Sequence, residues 1–584
     1  MCRSRGADKK DFTEVSLRRP STLNNNSPVP GDSNILLNLP ATPPLNLQEN
    51  VEELYSRHRE FFGEESQDDT PHSEADLKQI EPRKITLEDA EDLLRTFMKR
   101  ASFFPFVQIP EGATVRALSK TSPFLLLAML TSASINNPQL CHQMDCEFRR
   151  VLSMKIIVEG KKSLDFLQGL LVYIAWYPIQ ANPKNNQSFV YMNLAISLIT
   201  DLGLDQETPN FNSFNDISTE RLFEGGSFSK AAKRAYLGCY YLSSSISMGF
   251  QKPNAMQYRN LMDLHGQSLL EDEGPTEIQS LLKLQRLAER IVELHQSKQT
   301  TSDSYMDTFN SEVNVQIFIN ELQEWRDSTP QEIKNLPFVA LAERAMGISI
   351  YSHELGFTRR PYREYLRSEE SARAGLVSHL PNCLDASKKF FEYLLSMPQS
   401  SYLSFTTIQW GQIVRAVLVL SRLTFLMAAT LGWDPEMTRT TVPLVMYLDC
   451  LCFRFQQIST STPIGSEMPK NPDVLYVFKM VLGSVKKSYE KRVSLIQPGS
   501  FAVSYGNAVG AARGHCPIHD PNLSVYFPSP EDSIYSSSLG LSSGPSEISP
   551  GPTPPVYVAS LFLISLLSTP LFYAVERTTI YGLP

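Results

Sequence analysis

The sequence lacks the motifs of the common metalloproteases, nucleotide-binding enzymes and hydrolases. No HExxH, GxxxxGK[ST] or GxGxxG pattern occurs. The string GLSSG at 540–544 lies in a Ser- and Pro-rich stretch, not at the strand-to-helix turn that a GxSxG nucleophile elbow needs. Each of these motifs places a metal ligand, a nucleophile or a phosphate-binding backbone where its chemistry requires it. We therefore predict that the protein is not an enzyme, and we assign no catalytic residue.

Cysteines are few and scattered. The eight lie at positions 2, 141, 146, 239, 383, 450, 452 and 516, mostly inside apolar runs. This distribution favours reduced thiols in a cytosolic or nuclear compartment over a disulfide framework. No apolar h-region follows Met1, so no secretory signal peptide is expected. The net charge of −8 is mild for 584 residues and gives no overall attraction to nucleic acid.

Both ends of the sequence have the composition of disordered chain. Residues 1–84 hold an Asn24-Asn25-Asn26 run, several prolines and few aromatics, with one short helix expected near 51–62. A loose basic cluster near the start is compatible with nuclear import, but a solvated tail is the simpler interpretation. Residues 493–555 are rich in Ser, Pro and Gly and are also predicted to be disordered.

Between these ends, residues 85–492 show helical rather than alternating apolar spacing. We predict an all-α domain of about a dozen helices, because this spacing recurs between proline and glycine breaks. No a/d heptad persists long enough for a coiled coil. The expected helices are 87–100, 124–135, 139–158, 164–177, 187–202, 230–247, 277–296, 313–327, 338–353, 385–395, 408–431, 442–457 and 474–489.

The start of this domain carries two further expectations. Thr86 is predicted to cap the first helix with Asp89 at the capping-box position, and Leu87 to lie on its apolar face. Residues 103–110 are predicted to be extended, because each proline disfavours helical backbone at the residue before it.

Residues 163–178 are predicted to form a buried central helix. Apolar residues follow helical spacing, and Leu170 and Tyr173 also occupy the flank that an amphipathic surface helix leaves polar. Ser163 is suited to cap the first turn, and Pro178 stops the helix because it lacks an amide proton. Trp176 is expected at the edge of the core.

Residues 556–575 form a run of twenty residues without a charge. The run meets the minimum length of a transmembrane helix, although Pro570 and several hydroxyl side chains weaken the pattern. Three interpretations stay open: a membrane anchor, a docking helix, and a C-terminus that arises from an imperfect gene model.

Several short clusters contain residue types that bind metals or acids. Each of the metal candidates offers at most three ligands, whereas a structural zinc ion takes four. The preferred interpretation is therefore that these residues are cysteines of helical cores, or loop residues that are close together by chance. We therefore predict no metal site. A basic edge on one helix is interpreted as a solvated face, with an acidic partner as the alternative. The metal candidates are Cys141-His142 with Cys146, His515-Cys516 with His519, and the close pair Cys450 and Cys452; the basic edge is Lys230, Lys233 and Arg234.

A family resemblance rests on several packing motifs. The sequence resembles the middle homology region of fungal binuclear zinc-cluster transcription factors, over residues 85–492. The motifs are FFPFVQIP (103–110), SPFLLLAMLTSAS (122–134), EFRRVLSMKIIVEGKKSLDFLQGLLVYIAWYP (147–178), NLAISLITDLGL (193–204), KRAYLGCYYLSSSIS (233–247), LLKLQRLAERI (281–291), IQWGQIVRAVLVLSRLTFL (408–426) and LGWD (431–434).

The resemblance implies a nuclear regulator with an all-α regulatory region, preceded by a six-cysteine domain that holds two zinc ions and binds DNA. The sequence departs from this pattern, because Cys2 is the only cysteine before Cys141. No zinc ligand or base-reading residue is carried over, no cofactor is expected in this chain, and direct DNA binding is not expected.

The sequence therefore predicts a fungal transcription regulator without its own zinc cluster, or a shortened product of a longer gene. It would control a metabolic or secondary-metabolite gene set, in the nucleus, through a DNA-binding partner, the transcription machinery, a homo- or heterodimer, or a small-molecule effector. The alternatives are a ligand-binding helical protein, since pockets form between helices, and a protein tethered to a membrane through 556–575.

Overall fold

Helices make up nearly all of the regular structure. The computed structural model describes residues 85–178, 187–207, 221–224, 226–250, 252–298, 304–352, 370–425, 435–461 and 473–496. Within these ranges the chain forms seventeen α-helices and one antiparallel pair of two-residue strands, β1 Phe223–Glu224 and β2 Ser227–Phe228. The all-α prediction is confirmed.

The helices are named in chain order. The first ten are α1 Leu87–Arg100, α2 Val115–Thr121, α3 Pro123–Ala133, α4 Pro138–Leu152, α5 Leu164–Ala175, α6 Ser188–Asp201, α7 Lys230–Phe250, α8 Asn260–Glu273, α9 Glu277–Lys298 and α10 Ser304–Ser328. The others are α11 Gln331–Lys334, α12 Pro337–Ser352, α13 Glu370–Ser396, α14 Thr407–Phe425, α15 Pro435–Thr441, α16 Leu444–Ile458 and α17 Val474–Ile496. A π-helical segment, Ser153–Val158, continues α4.

Helix α5 is the buried helix that the sequence predicts. It packs against α3, α6 and α7, and its leucines and Tyr173 are almost completely shielded from solvent. The Ser163 hydroxyl accepts a hydrogen bond from the Phe166 amide and so caps the first turn. The helix ends at Ala175, before Pro178 is reached.

Two glycines allow close approach between elements of this region. A Cβ atom built on Gly169 of α5 would lie 2.5 Å from Cδ1 of Phe124 on α3. One built on Gly238 of α7 would lie 2.5 Å from Cβ of Phe106. Real Cβ atoms do not come this close, so glycine is needed for α5 to pack on α3, and α7 on the turn that holds Phe106, at the observed separations.

Aromatic side chains join the early helices to the later ones. The ring of Phe103 lies 5.5 Å from that of Phe338 and 5.8 Å from that of Phe405. The indole Nε1 of Trp176 donates a 3.1 Å hydrogen bond to the carbonyl of Ser404. Trp176 is buried in the core rather than at its edge, and it anchors the end of α5 to the segment that precedes α14.

Helices α16 and α17 form an antiparallel pair. The carboxylate of Asp473, at the start of α17, accepts hydrogen bonds from the hydroxyl of Ser459 and the amide of Thr460, just after α16. The Thr460 hydroxyl donates to the carbonyl of Asn136 at 2.9 Å. This contact holds the pair against the turn that leads into α4.

Several predicted boundaries need correction. Residues 103–110 are not uniformly extended, because a 3₁₀ turn covers Ala101–Phe103 and a turn follows it. Thr86 and Asp89 form the predicted capping box, but Leu87 is exposed rather than packed. The sequence analysis missed α2, α8, α11 and α15, which are short or polar, and α17 continues past residue 492 to Ile496.

Other predictions fall on residues that the structure does not describe. These are the disordered segments within 1–84 and 497–555, the helix near 51–62, and the apolar run 556–575. Among the described helices, none combines the length and the apolar character needed to cross a lipid bilayer. Six of the cysteines are described, and none of these six forms a disulfide.

Candidate functional site

A buried polar cluster lies between α7 and α9. Helix α7 presents Tyr240, Ser243 and Ser244 on one face, because residues three and four apart share a side of a helix. Helix α9 brings Gln285 and Glu289, which are also four residues apart. The chain that follows α7 adds Asn254, and we call these residues with Arg286 the Glu289 cluster.

Glu289 is the centre of this cluster and only 7% of its surface is exposed. One carboxylate oxygen, Oε1, accepts hydrogen bonds from the Ser244 hydroxyl at 2.6 Å and from Nδ2 of Asn254 at 2.9 Å. The other, Oε2, accepts from the Tyr240 hydroxyl at 2.7 Å and from Arg286 at 3.1 Å. Burial and the neighbouring carboxylate raise the pKa of Tyr240, so its proton stays on the phenol.

A second ring of hydrogen bonds fixes these donors. Gln285 donates to the Ser244 hydroxyl at 2.7 Å, and the Ser243 hydroxyl donates to Oδ1 of Asn254 at 2.8 Å. The same Oδ1 accepts the backbone amide of Met256 at 3.1 Å. The cluster therefore sets the relative position of α7, α9 and the chain that follows α7.

Arg286 connects the cluster to solvent. Its side chain is about one third exposed and also pairs with Glu293 at 3.0 Å. The guanidinium lies 5.3 Å from the ring centre of Tyr258, within cation–π range. Arg286 is therefore the side through which solvent approaches the buried carboxylate of Glu289.

A smaller cluster lies between α4 and α5. Asp145 is 2% exposed, accepts a hydrogen bond from the Tyr173 hydroxyl and forms an ion pair with Arg149. The rings of Tyr177 and Tyr191 lie 5.6 and 5.5 Å from that of Tyr173. Burial is the first cause that raises the pKa of Tyr173, and the Asp145 charge adds to it.

Among the candidate metal ligands that the structure describes, only Cys146 and His142 are shown in contact. Cys141 is buried, whereas the thiol of Cys146 is partly exposed and lies 3.7 Å from Nε2 of His142. Hydrogen bonding to His142 lowers the pKa of Cys146. Within the described ranges no three His, Cys, Asp or Glu side chains are placed to hold a metal ion. The candidates at 515–519 lie outside the described residues.

The basic edge of α7 is not a solvated face at Arg234. This guanidinium is buried, forms an ion pair with Glu273 of α8, and donates to the carbonyl of Pro105 at 3.1 Å. Lys233 donates to the hydroxyl of Ser268 at 2.8 Å. The acidic partner that the sequence analysis considered as an alternative lies within the same chain, because α8 packs along α7.

The sequence analysis did not identify the Glu289 cluster. Two features point to it in retrospect: the run Ser243-Ser244-Ser245 inside a helix with apolar flanks, and Glu289 between Ala288 and Ile291, both buried. Their pairing depends on how α7 and α9 pack, which the sequence does not state.

Comparison with known proteins places both clusters in one domain. The fungal specific transcription factor domain matches residues 91–327. The match covers 237 of the 584 residues. It includes α2 to α9 entire, and thus the Glu289 cluster, Asp145 and the buried helix α5. A second family, described only as a C-terminal domain, matches residues 399–523. No solved structure matches the chain.

Relatives with assigned names are transcription factors. The chain is 27% identical over 439 residues to transcription factor himD of Aspergillus japonicus, which covers 72% of this chain and 69% of that protein. It is 25% identical over 396 residues to transcription factor opdL of Penicillium oxalicum, covering 65% and 67%. A match to transcription factor pbcR of Emericella nidulans is 28% identical over 251 residues, 38% of this chain and 32% of that protein. The resemblance proposed from the packing motifs is confirmed.

Proposed function

We propose that this chain is a nuclear transcription regulator that controls a set of metabolic genes, with secondary metabolism as the favoured class. The observation that carries the proposal is the fungal transcription factor domain over residues 91–327, together with relatives that are named transcription factors. We infer that the chain acts together with the transcription machinery or with a DNA-binding partner.

The Glu289 cluster favours regulation by an effector or partner at α7 and α9. Its carboxylate is saturated with hydrogen bonds from three parts of the chain, so any molecule that competes for one donor changes how those parts are held. Arg286 is about one third exposed, and Asn254 is also partly exposed, so both can be approached from solvent. A polar effector with an anionic group would pair with Arg286 and release it from Glu289.

The test is the transcript profile of the fungus that encodes the chain. Deletion of the gene should change a limited set of transcripts that share a pathway, and reintroduction of the unaltered gene should restore them. An unchanged profile under conditions in which the protein is made would contradict the proposal. An Arg286→Gln variant should restore the basal transcript levels, because the neutral hydrogen-bond donors to Glu289 are unchanged. It should alter the response of those transcripts to nutrient change, because the positive charge that would pair with an effector is lost.

A further inference from the structure

The end of helix α4 carries an exposed apolar turn with a basic border. The π-helical segment Ser153–Val158 ends in Ile157 and Val158, followed by Glu159, Gly160, Lys161 and Lys162. Lys155 lies within the same segment. We call Lys155, Ile157, Val158, Lys161 and Lys162 the basic apolar turn.

The two apolar side chains are unusually accessible. Ile157 is 66% exposed and Val158 is 62% exposed. Isolated apolar residues on a protein surface are ordinary, but adjacent ones with a polar border are typical of interaction sites. Folding therefore leaves most of the apolar surface of these two side chains exposed to water.

The turn is held in a fixed shape although its tips are exposed. Ile156 is buried and anchors it to the core. The backbone amide of Lys161 donates to the carbonyl of Lys155 at 2.9 Å, and Gly160 takes the left-handed conformation, with φ of 64°, that closes the turn. A surface that is already ordered loses little conformational entropy when it binds.

The border holds three lysines and two carboxylates, an excess of one positive charge. Lys155 and Lys161 share a single carboxylate, Glu159, at 2.6 and 2.8 Å, and Lys162 pairs with Asp201 at 3.1 Å. All three lysine side chains are at least 40% exposed. Exposed ion pairs of this kind contribute little to stability. An acidic ligand can therefore displace Glu159 and Asp201 from the lysines.

We propose that the basic apolar turn binds an acidic segment of a partner protein that also carries apolar side chains. The apolar side chains of the segment would cover Ile157 and Val158, and its carboxylates would pair with Lys155, Lys161 and Lys162. Binding of such a segment adds the chemistry of one partner to the proposed function. Only the regulatory role of that partner rests on the proposed function.

Charge argues against two other occupants. A second copy of the chain in a symmetric contact would bring the same lysines together, and like charges repel across an interface. An anionic membrane would attract the lysines, but the chain as a whole carries a net charge of −8 and the turn offers only two apolar side chains. An acidic protein segment matches both the charge and the size of the surface.

The experiment measures binding of a labelled synthetic peptide, in which Asp and Glu alternate with Leu and Phe, to the full chain by fluorescence anisotropy. Two matched peptides replace the acids by Asn and Gln, or the Leu and Phe by Ser. The variants are Ile157→Ser with Val158→Ser, and Lys155→Gln with Lys161→Gln. The controls are Phe453→Ser, at a side chain 61% exposed on α16, and Lys388→Gln with Lys389→Gln on α13.

The apolar double variant should weaken binding about tenfold, and the lysine variant should weaken it several-fold and flatten its salt dependence. Neither control should change it. Equal binding by the acid-free peptide, an equal loss in Phe453→Ser, or no binding by the unaltered chain would overturn the proposal. So would a dimer, seen by sedimentation, or cosedimentation with phosphatidylserine vesicles, that requires Ile157 and Val158. The assay contains no DNA and no transcription, so its failure leaves the proposed function standing, and the failure of transcript profiling leaves the binding result standing.

Discussion

Glu289 and Asp145 are both buried carboxylates within the fungal transcription factor domain, but they are held in different ways. Glu289 accepts hydrogen bonds from two side chains of α7, from Asn254 beyond it, and from its own helix. Asp145 accepts from Tyr173 of the neighbouring α5 and from Arg149 of its own helix. The first carboxylate joins three parts of the chain, and the second joins two helices.

The two carboxylates differ in how many buried hydrogen-bond donors would lose their acceptor if the carboxylate were removed. The arginines of both clusters are partly exposed, so water satisfies them when the acid is removed. The hydroxyls of Tyr240 and Ser244 are buried, and each would lose an acceptor if Glu289 were removed. Removal of Asp145 would leave only one buried hydroxyl, that of Tyr173, without its acceptor. Glu289 should therefore matter more to the domain than Asp145, although it has the larger exposed fraction.

An upper limit for the comparison comes from the apolar core. Leu171→Asp buries an unpaired charge in α5, where the wild-type side chain is fully buried. We expect a loss of more than about 4 kcal/mol and little soluble protein. Val190→Asp, at a side chain 62% exposed on α6, is the matched control. If Leu171→Asp kept its solubility and melting temperature, the central position of α5 would be wrong.

Truncation of each carboxylate tests the comparison directly. Glu289→Ala should lower stability by about 3–4 kcal/mol and Asp145→Ala by about 2–3 kcal/mol, because the first leaves more buried donors without an acceptor. The measurement is the midpoint of urea unfolding followed by circular dichroism. A greater loss for Asp145→Ala would reverse our ranking of the two clusters.

Removal of single hydroxyls sharpens the comparison further. Tyr240→Phe should cost about 2 kcal/mol, since one buried hydrogen bond to a charged acceptor is lost while ring packing is kept. Tyr258→Phe is the control, because that hydroxyl donates to Asp263 on the exposed side of the structure. We expect its melting temperature to stay close to that of the wild type. Equal losses would indicate that burial does not set the strength of these bonds.

A buried histidine that lacks a partner on one ring nitrogen should give the smallest effect. Nε2 of His265 is buried without a hydrogen-bond partner, and burial lowers the pKa of His265 from 6.5 to about 4, with nearby Lys233 adding to it. As the pH falls, His265 therefore binds a proton in the unfolded chain before it does so in the folded chain. The free energy of unfolding falls as the pH drops from 6.5 towards 4.

The His265 contribution is isolated by subtraction. His265→Gln should show about 1–2 kcal/mol less acid destabilisation than wild type over that interval, after allowance for solvent near the ring. The carboxylates titrate equally in both proteins, so the difference between their melting temperatures at pH 6.5 and pH 4 reports His265 alone. Parallel curves would contradict the shifted pKa.

Local signals in the sequence predict the helices well, and the contacts between them poorly. The capping box of Thr86 and the apolar wrapping of α5 depend on residues a few positions apart, so they are visible in the sequence. The bond from Tyr240 to Glu289 and the pair of Arg234 with Glu273 join residues far apart in the chain. Nothing in the sequence fixes which helical faces meet, so charged residues there were interpreted as solvated.

The central claim is that this chain regulates transcription through its helical domain. The most direct measurement fuses the full chain to a heterologous DNA-binding domain and records a reporter of intermediate basal activity in yeast. We predict that the fusion raises or lowers the reporter, and that Glu289→Ala reduces this effect more than Asp145→Ala at equal protein levels. A reporter that stays at its basal level, with the fusion folded and present in the nucleus, would contradict the account.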